Sequence, residues 1–115
     1  VGGPHTGKTT LAHTLGVEVL FTDQFAHEAW SAQSANAAVL LNKPGDWVLE
    51  GITAVRALRK WMRTHDGKPC DTVIHLTRPH GPLILGQYKL FHGCETVLAE
   101  IASELRTRGV IIEER

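Results

Sequence analysis

The chain has 115 residues, 43% of them hydrophobic, and its 12 basic and 12 acidic residues cancel. This length supports one compact core, so we predict a single domain over residues 1–115. The balanced charge argues against a strongly electrostatic nucleic-acid or membrane partner. No apolar run approaches a membrane span, and the first residues lack the features of a signal or transit peptide. We therefore expect a cytoplasmic location.

The first element is a glycine-rich segment that fits the Walker A pattern of Gly, four residues, then Gly-Lys-Ser/Thr. Its glycines allow the backbone to curve tightly around a phosphate group, so that successive N–H groups point at the phosphate oxygens. Lys8 would reach the β- and γ-phosphates, and the Thr9 hydroxyl would bind Mg²⁺. The alternative is a glycine-rich turn that happens to precede a helix. The predicted cofactor-binding residues are Gly2, Gly3, Pro4, His5, Thr6, Gly7, Lys8, Thr9 and Thr10.

A helix should follow this loop, because Leu11, Ala12 and Leu15 share one helical face and Gly16 suits a left-handed C-terminal residue. A buried strand should precede the loop, yet only Val1 stands before the first glycine. We therefore expect that the chain is N-terminally trimmed and poorly stable alone.

Strands and helices alternate along the rest of the chain. Short apolar or β-branched runs predict strands at 17–21, 47–49, 72–76 and 110–112. Helical spacing predicts one or two helices within 24–42, a helix at 54–63 and another at 95–108, with a partly helical loop over 80–91. This alternation predicts a parallel sheet with helices on its faces and a ligand at the carboxyl ends of the strands.

Three charged residues follow predicted strands at that edge. Asp23 could orient or deprotonate an acceptor substrate, or it could be a helix N-cap. Glu50 could bind magnesium-coordinated water, or it could be an exposed acid at a strand end. Arg78 could stabilise charge on a transferring phosphoryl group, or it could be a surface arginine.

Other polar residues are weaker candidates. The helix at 54–63 has a basic stripe, and Arg56, the member nearest the crevice, could bind an anionic acceptor. Lys89 could share the predicted role of Arg78. His75 is predicted to be a core histidine with a hydrogen-bond partner, and Cys70 and Cys94 to be reduced thiols, because their spacing suits neither zinc nor a redox pair. The tryptophans are predicted to pack in the core or a subdomain.

The order of these motifs, from the phosphate loop through Asp23 and Trp47-Val48-Leu49-Glu50-Gly51 to Val73-Ile74-His75-Leu76, resembles the P-loop small-molecule and nucleotide kinases, the adenylate-kinase-like group of P-loop NTPases most. The resemblance implies a three-layer α/β/α fold with strand order 2-3-1-4-5, whose first strand is truncated here. It also implies ATP and Mg²⁺ as cofactors and a lid after the fourth strand. The family positions would be Gly2, Gly7, Lys8 and Thr9 for the nucleotide, Asp23 for the acceptor, Glu50 and Gly51 for the acid-glycine pair, and Arg78 for the lid entrance.

The expected activity is transfer of the γ-phosphoryl group of Mg-ATP to a nucleoside, nucleotide or related metabolite. The chain departs from adenylate kinases in having Ile52-Thr53-Ala54 after the acid-glycine pair and a short lid with Lys89. These departures leave open an ATP-binding or hydrolysing regulatory module without its own acceptor. The basic stripe from Arg56 to Arg63 leaves open a second alternative, a kinase acting on nucleic-acid ends.

Overall fold

The computed structural model describes residues 1–3, 7–77 and 81–115. In this part of the chain, short parallel strands alternate with helices. The helices are α1 (Lys8–Thr14), α2 (Trp30–Leu40), α3 (Ala54–Thr64) and α4 (Leu85–Thr107), with a 3-10 helix at Thr22–Phe25. The strands are β1 (Glu18–Phe21), β2 (Trp47–Glu50), β3 (Thr72–His75) and β4 (Ile111–Glu114).

The four predicted strands and the predicted helix at 54–63 are confirmed to within two residues at each boundary. The predicted helical region 24–42 contains the end of the 3-10 helix, a turn and then α2. The helix expected at 95–108 begins ten residues earlier, at Leu85, so the prediction of a partly helical loop over 80–91 is wrong from that residue onward. A proline and glycines between residues 80 and 91 favour a loop, but α4 contains Gly86 and Gly93. At Gly93 an added Cβ would lie 2.8 Å from Arg56 Nη2, so the absence of a side chain lets Arg56 approach the helix.

The strands form two separate parallel pairs. β1 pairs with β2 from Glu18 opposite Trp47 to Phe21 opposite Glu50. β3 pairs with β4 from Thr72 opposite Ile111 to His75 opposite Glu114. The parallel pairing is confirmed, whereas the single sheet with strand order 2-3-1-4-5 stays a prediction because β2 and β3 do not pair within the described residues.

Most of the hydrophobic core lies between α3 and α4. α3 has an apolar face opposite its basic stripe, and it buries Ala54, Val55, Ala57, Leu58, Trp61 and Met62. α4 supplies Cys94, Val97, Leu98, Ile101 and Leu105, and β3 adds Val73. Although α4 has 23 residues, no helix in the described ranges is both long and apolar enough to cross a membrane.

Candidate functional site

The carboxyl ends of β1 and β2 meet in a close contact between Thr22 and Gly51. An added Cβ at Gly51 would lie 1.7 Å from Thr22 Oγ1, and the φ angle of Gly51 is +138°, which other residues rarely adopt. Glycine is therefore required at this position. The contact brings Asp23, the residue after Thr22, to the same sheet edge as Glu50, the residue before Gly51.

Lys8 begins α1 directly after the glycine-rich segment. Gly7 has left-handed backbone angles (φ 85°, ψ 18°), and its carbonyl oxygen accepts a hydrogen bond from Leu11 N at 2.9 Å. The Lys8 ammonium donates to the carbonyl oxygen of Gly3 at 2.8 Å, so the side chain points back toward Gly3. The predicted binding residues Pro4, His5 and Thr6 lie outside the described residues.

Thr9 and Glu50, the two predicted magnesium-site residues, are brought together. Thr9 Oγ1 donates a hydrogen bond to Glu50 Oε1 at 3.2 Å, although 41 residues separate them in the chain. Glu50 is only 6% exposed, so the alternative of an exposed acid at a strand end is wrong. A hydroxyl and a carboxylate next to each other are hard oxygen donors of the kind that Mg²⁺ prefers.

The electrostatics of this edge centre on Lys8. Burial lowers the pKa of the Lys8 ammonium below its ordinary value, while the negative charges of Glu50 and Asp23 act in the opposite direction. The charges of both predicted acids, Glu50 and Asp23, therefore act on the Lys8 ammonium. Because two carboxylates outnumber this cation, an anion entering the site would need its own metal ion to offset their charge.

Asp23 and Thr10 lie on the outside of this edge, and both are exposed. Asp23 belongs to the 3-10 helix, whose N-cap is Phe21, and the following α-helix starts only at Trp30. The alternative of Asp23 as a helix N-cap is therefore wrong. Arg78, predicted to act on the phosphoryl group, lies outside the described residues.

Arg56 connects three elements. Its Cζ lies 5.0 Å from the centroid of the Trp30 ring, a cation–π contact, and its Nη1 lies 4.0 Å from Cys94 Sγ. Within the described ranges it forms no ion pair with a carboxylate, so its charge stays available to an anion. Of the rest of the basic stripe, Arg59 pairs with Glu100 at 2.9 Å and Lys60 donates to the Ser31 carbonyl at 2.9 Å, which occupies two of its charges internally.

The tryptophans differ in burial. Trp61 is 8% exposed and donates to Asn42 Oδ1 at 2.9 Å, and Trp47 packs against the core. Trp30 is 41% exposed beneath Arg56, so the packing prediction is wrong for this ring. The Trp30 ring face contacts the Arg56 guanidinium, and a cation–π contact forms at an exposed ring as well as at a buried one.

His75 and the two cysteines follow their predictions. His75 is buried, and its Nε2 lies 2.8 Å from Glu95 Oε1, a partner that carried no signal in the sequence because it lies 20 residues away on α4. Both cysteines are free thiols. Burial raises the pKa of Cys70 to about 11 and raises that of Cys94, so neither is a thiolate nucleophile at neutral pH.

Sequence reasoning missed the residue that supports the loop from α4. An added Cβ at Gly3 would lie 2.4 Å from Phe91 Cδ2 and 2.8 Å from Phe91 Cα, so the loop and the α4 backbone are in direct contact. An apolar residue at this point in the chain resembles any other core residue, and only the tertiary packing identifies it.

Taken together, one sheet edge holds an ammonium, a hydroxyl bonded to a buried carboxylate, and an exposed carboxylate. Comparison of the chain with models of known protein families, with curated proteins and with solved structures finds no match.

Proposed function

We propose that the chain is an ATP-dependent phosphotransferase that moves the γ-phosphoryl group of Mg-ATP to a small acceptor such as a nucleoside, nucleotide or related metabolite. The observation that carries this proposal is the hydrogen bond between Thr9 and Glu50 next to the Lys8 ammonium. A Walker A sequence alone is compatible with an accidental glycine-rich turn. The pairing of its threonine with a buried acid at the end of a neighbouring strand supports a nucleotide site.

Each group has a distinct role in this proposal. Lys8 would exchange its bond to the Gly3 carbonyl for phosphate oxygens, and the N–H groups at the start of α1 would bind the same phosphates. Thr9 and Glu50 would hold Mg²⁺, the first directly and the second through bound water. The metal would neutralise charge on the phosphates as the terminal group is transferred.

The acceptor would approach from the outer side of the edge. Asp23 is exposed there and could orient an acceptor hydroxyl or accept its proton. Arg56 could bind an anionic part of the acceptor, since its guanidinium packs on Trp30 without a carboxylate partner in the described residues. Arg78 would contribute charge to the transferring group.

A Lys8→Ala variant tests the nucleotide site. Loss of a charge-assisted contact to phosphate should weaken binding of a non-hydrolysable ATP analogue with Mg²⁺ by about 100-fold, measured by calorimetry. The matched control is Lys43→Ala, because Lys43 is occupied by an exposed ion pair with Glu18 at 2.6 Å. Unchanged affinity in Lys8→Ala would refute the proposal.

Measuring ADP release with and without candidate acceptors separates the kinase from a regulatory ATPase module. The module is the second candidate because only residues 76–84 separate β3 from α4, which leaves a short segment for the lid of a kinase. Release that depends on an added small molecule supports the kinase, and it should fall in Asp23→Asn. Slow release that is independent of every acceptor assigns the module instead.

A further inference from the structure

Two elements contact the first residues of the glycine-rich segment. Gly2 forms a parallel bridge with Leu76, the residue directly after β3, and the Leu76 N–H donates to the Val1 carbonyl at 2.8 Å. Gly3 lies against Phe91 of α4, where an added Cβ would be 2.8 Å from Phe91 Cα. The position of this segment therefore depends on how β3 and α4 are placed relative to each other.

A hydrogen bond between His75 and Glu95 connects the same two elements. His75 is the last residue of β3 and adjoins Leu76, while Glu95 lies about one helical turn after Phe91 on α4. His75 Nε2 is 2.8 Å from Glu95 Oε1 and 3.0 Å from Glu95 Oε2. Because a carboxylate only accepts hydrogen bonds, the ring donates this bond from Nε2. The pair thus joins β3 to α4 beside the residues that contact the glycine-rich segment.

The surroundings of the pair make this bond the main polar contact of the His75 ring. The His75 side chain is 10% exposed, and its Nδ1 lies 3.7 Å from Glu114 Oε1, too far for a hydrogen bond. Gly2, His75 and Glu95 border one small gap in which no water molecule fits. A buried N–H that loses its partner is destabilised by the full cost of its desolvation, so the bond resists displacement of α4 from β3.

A second contact of α4 has similar chemistry but does not reach the glycine-rich segment. Glu100, five residues after Glu95, pairs with Arg59 of α3 at 2.9 Å. Both acids hold α4 against a neighbouring element, yet only Glu95 has a partner next to Leu76. A role confined to stability predicts that neither acid affects ligand binding by the folded chain. A positioning role predicts an effect of Glu95 alone.

We propose that His75 and Glu95 are positioning residues of the nucleotide site. Their hydrogen bond sets the distance of α4 from β3 at which Phe91 supports Gly3, and this support keeps the glycine-rich segment in the shape that receives the phosphates of Mg-ATP. Neither residue touches the ligand, because the pair acts through Leu76 and Phe91. This inference rests on the proposed function, which supplies the ligand.

Glu95→Ala tests the inference. The variant removes the acceptor of the His75 bond and should weaken binding of a non-hydrolysable ATP analogue with Mg²⁺ by about 10-fold, measured by calorimetry. Glu95→Gln keeps an amide oxygen that can accept from Nε2, so it should retain most of the affinity.

Two control variants separate positioning from stability. Glu100→Ala is the matched control, because it breaks the other carboxylate contact of α4. Leu105→Ala controls for a lower stability, since it removes a fully buried side chain from α4 far along the helix from Phe91. Both variants should bind the analogue like the unaltered chain at a temperature at which every variant is folded.

Amide hydrogen exchange measured by NMR gives a second readout that needs no nucleotide. The Leu76 N–H, bonded to the Val1 carbonyl, should exchange about 10-fold faster in ligand-free Glu95→Ala than in the unaltered chain. In Glu100→Ala it should exchange at the normal rate.

Three results would overturn the inference: an unchanged affinity of Glu95→Ala for the analogue, an equal loss of affinity in Glu95→Ala and Leu105→Ala, or an unchanged Leu76 exchange in Glu95→Ala. If the unaltered chain does not bind the analogue, the proposed function fails instead. The Leu76 exchange then decides alone whether the pair positions the glycine-rich segment, so the two failures are distinguishable.

Discussion

The region around the phosphate loop and the region around α3 and α4 differ sharply in burial. α1 buries a single residue, Ala12, whereas α3 buries six. Leu15, the C-cap residue of α1, is 40% exposed, while Leu105 on α4 is completely buried. Except for Arg56 on α3, the residues with proposed chemistry therefore belong to the thinly packed region, and the other region supplies most of the folding free energy.

The largest expected effect tests this difference directly. Leu105→Ala removes a fully buried side chain and should lower the free energy of unfolding by about 3 to 5 kcal/mol. Leu15→Ala, the same change on a half-exposed side chain, should cost less than about 1 kcal/mol. Urea titrations of both variants measure the two values. Equal losses would break the comparison, because α1 would then be as well packed as α4.

The second prediction concerns the contact that connects β1 to β2. Gly51→Ala combines an unfavourable backbone angle with a collision against Thr22, and it should cost about 3 kcal/mol of unfolding free energy. Gly45→Ala is the matched control, since Gly45 has a φ of +85° but nothing within 4 Å, and it should cost about 1 kcal/mol. The difference between the variants in urea measures the collision together with the additional strain of a φ of +138°. If Mg-ATP binding weakens only in Gly51→Ala, the contact also positions Glu50.

Local patterns predicted much of this architecture. Trp47-Val48-Leu49 and Thr72-Val73-Ile74 are short apolar runs, and such runs form buried strands wherever a sheet edge can receive them. α3 was predictable because Val55, Leu58 and Met62 repeat at helical spacing. The start of α4 was not, because a proline and glycines between residues 80 and 91 favour a loop, and each glycine in a helix costs about 1 kcal/mol relative to alanine.

The candidate site also has a part that the sequence predicted and a part that only the tertiary packing decided. Thr9 was predicted from the motif and Glu50 from its place at a strand end, and the carboxyl-edge rule predicted that they would meet. The packing of Arg56 on Trp30 and the bond between His75 and Glu95 were unpredictable. They depend on side chains from distant elements approaching to within a few ångströms, which no local spacing records.

The third and smallest effect concerns Val1, which lies between the phosphate loop and the core to which α3 and α4 contribute. It tests the comparison where the two regions meet. Burial lowers the pKa of the Val1 amine from 8.0 to about 6, with the Lys8 charge acting in the same direction. Between these two values the unfolded chain binds more protons than the folded chain, so the free energy of unfolding should rise as the pH increases from 6 to 8. The full penalty, about 2 to 3 kcal/mol, applies below pH 6 and disappears above pH 8.

Acetylation of the Val1 nitrogen provides the control for this pH dependence. The acetylated group keeps an N–H that can donate to the Ile74 carbonyl but carries no charge, so the rise between pH 6 and 8 should vanish while stability at pH 8 stays nearly constant. Urea titrations at both pH values measure it. A rise of the same size in the acetylated chain would assign it to other groups. Loss of the rise on acetylation would show that the surroundings of Val1 accept a neutral amide nitrogen better than a charged amine.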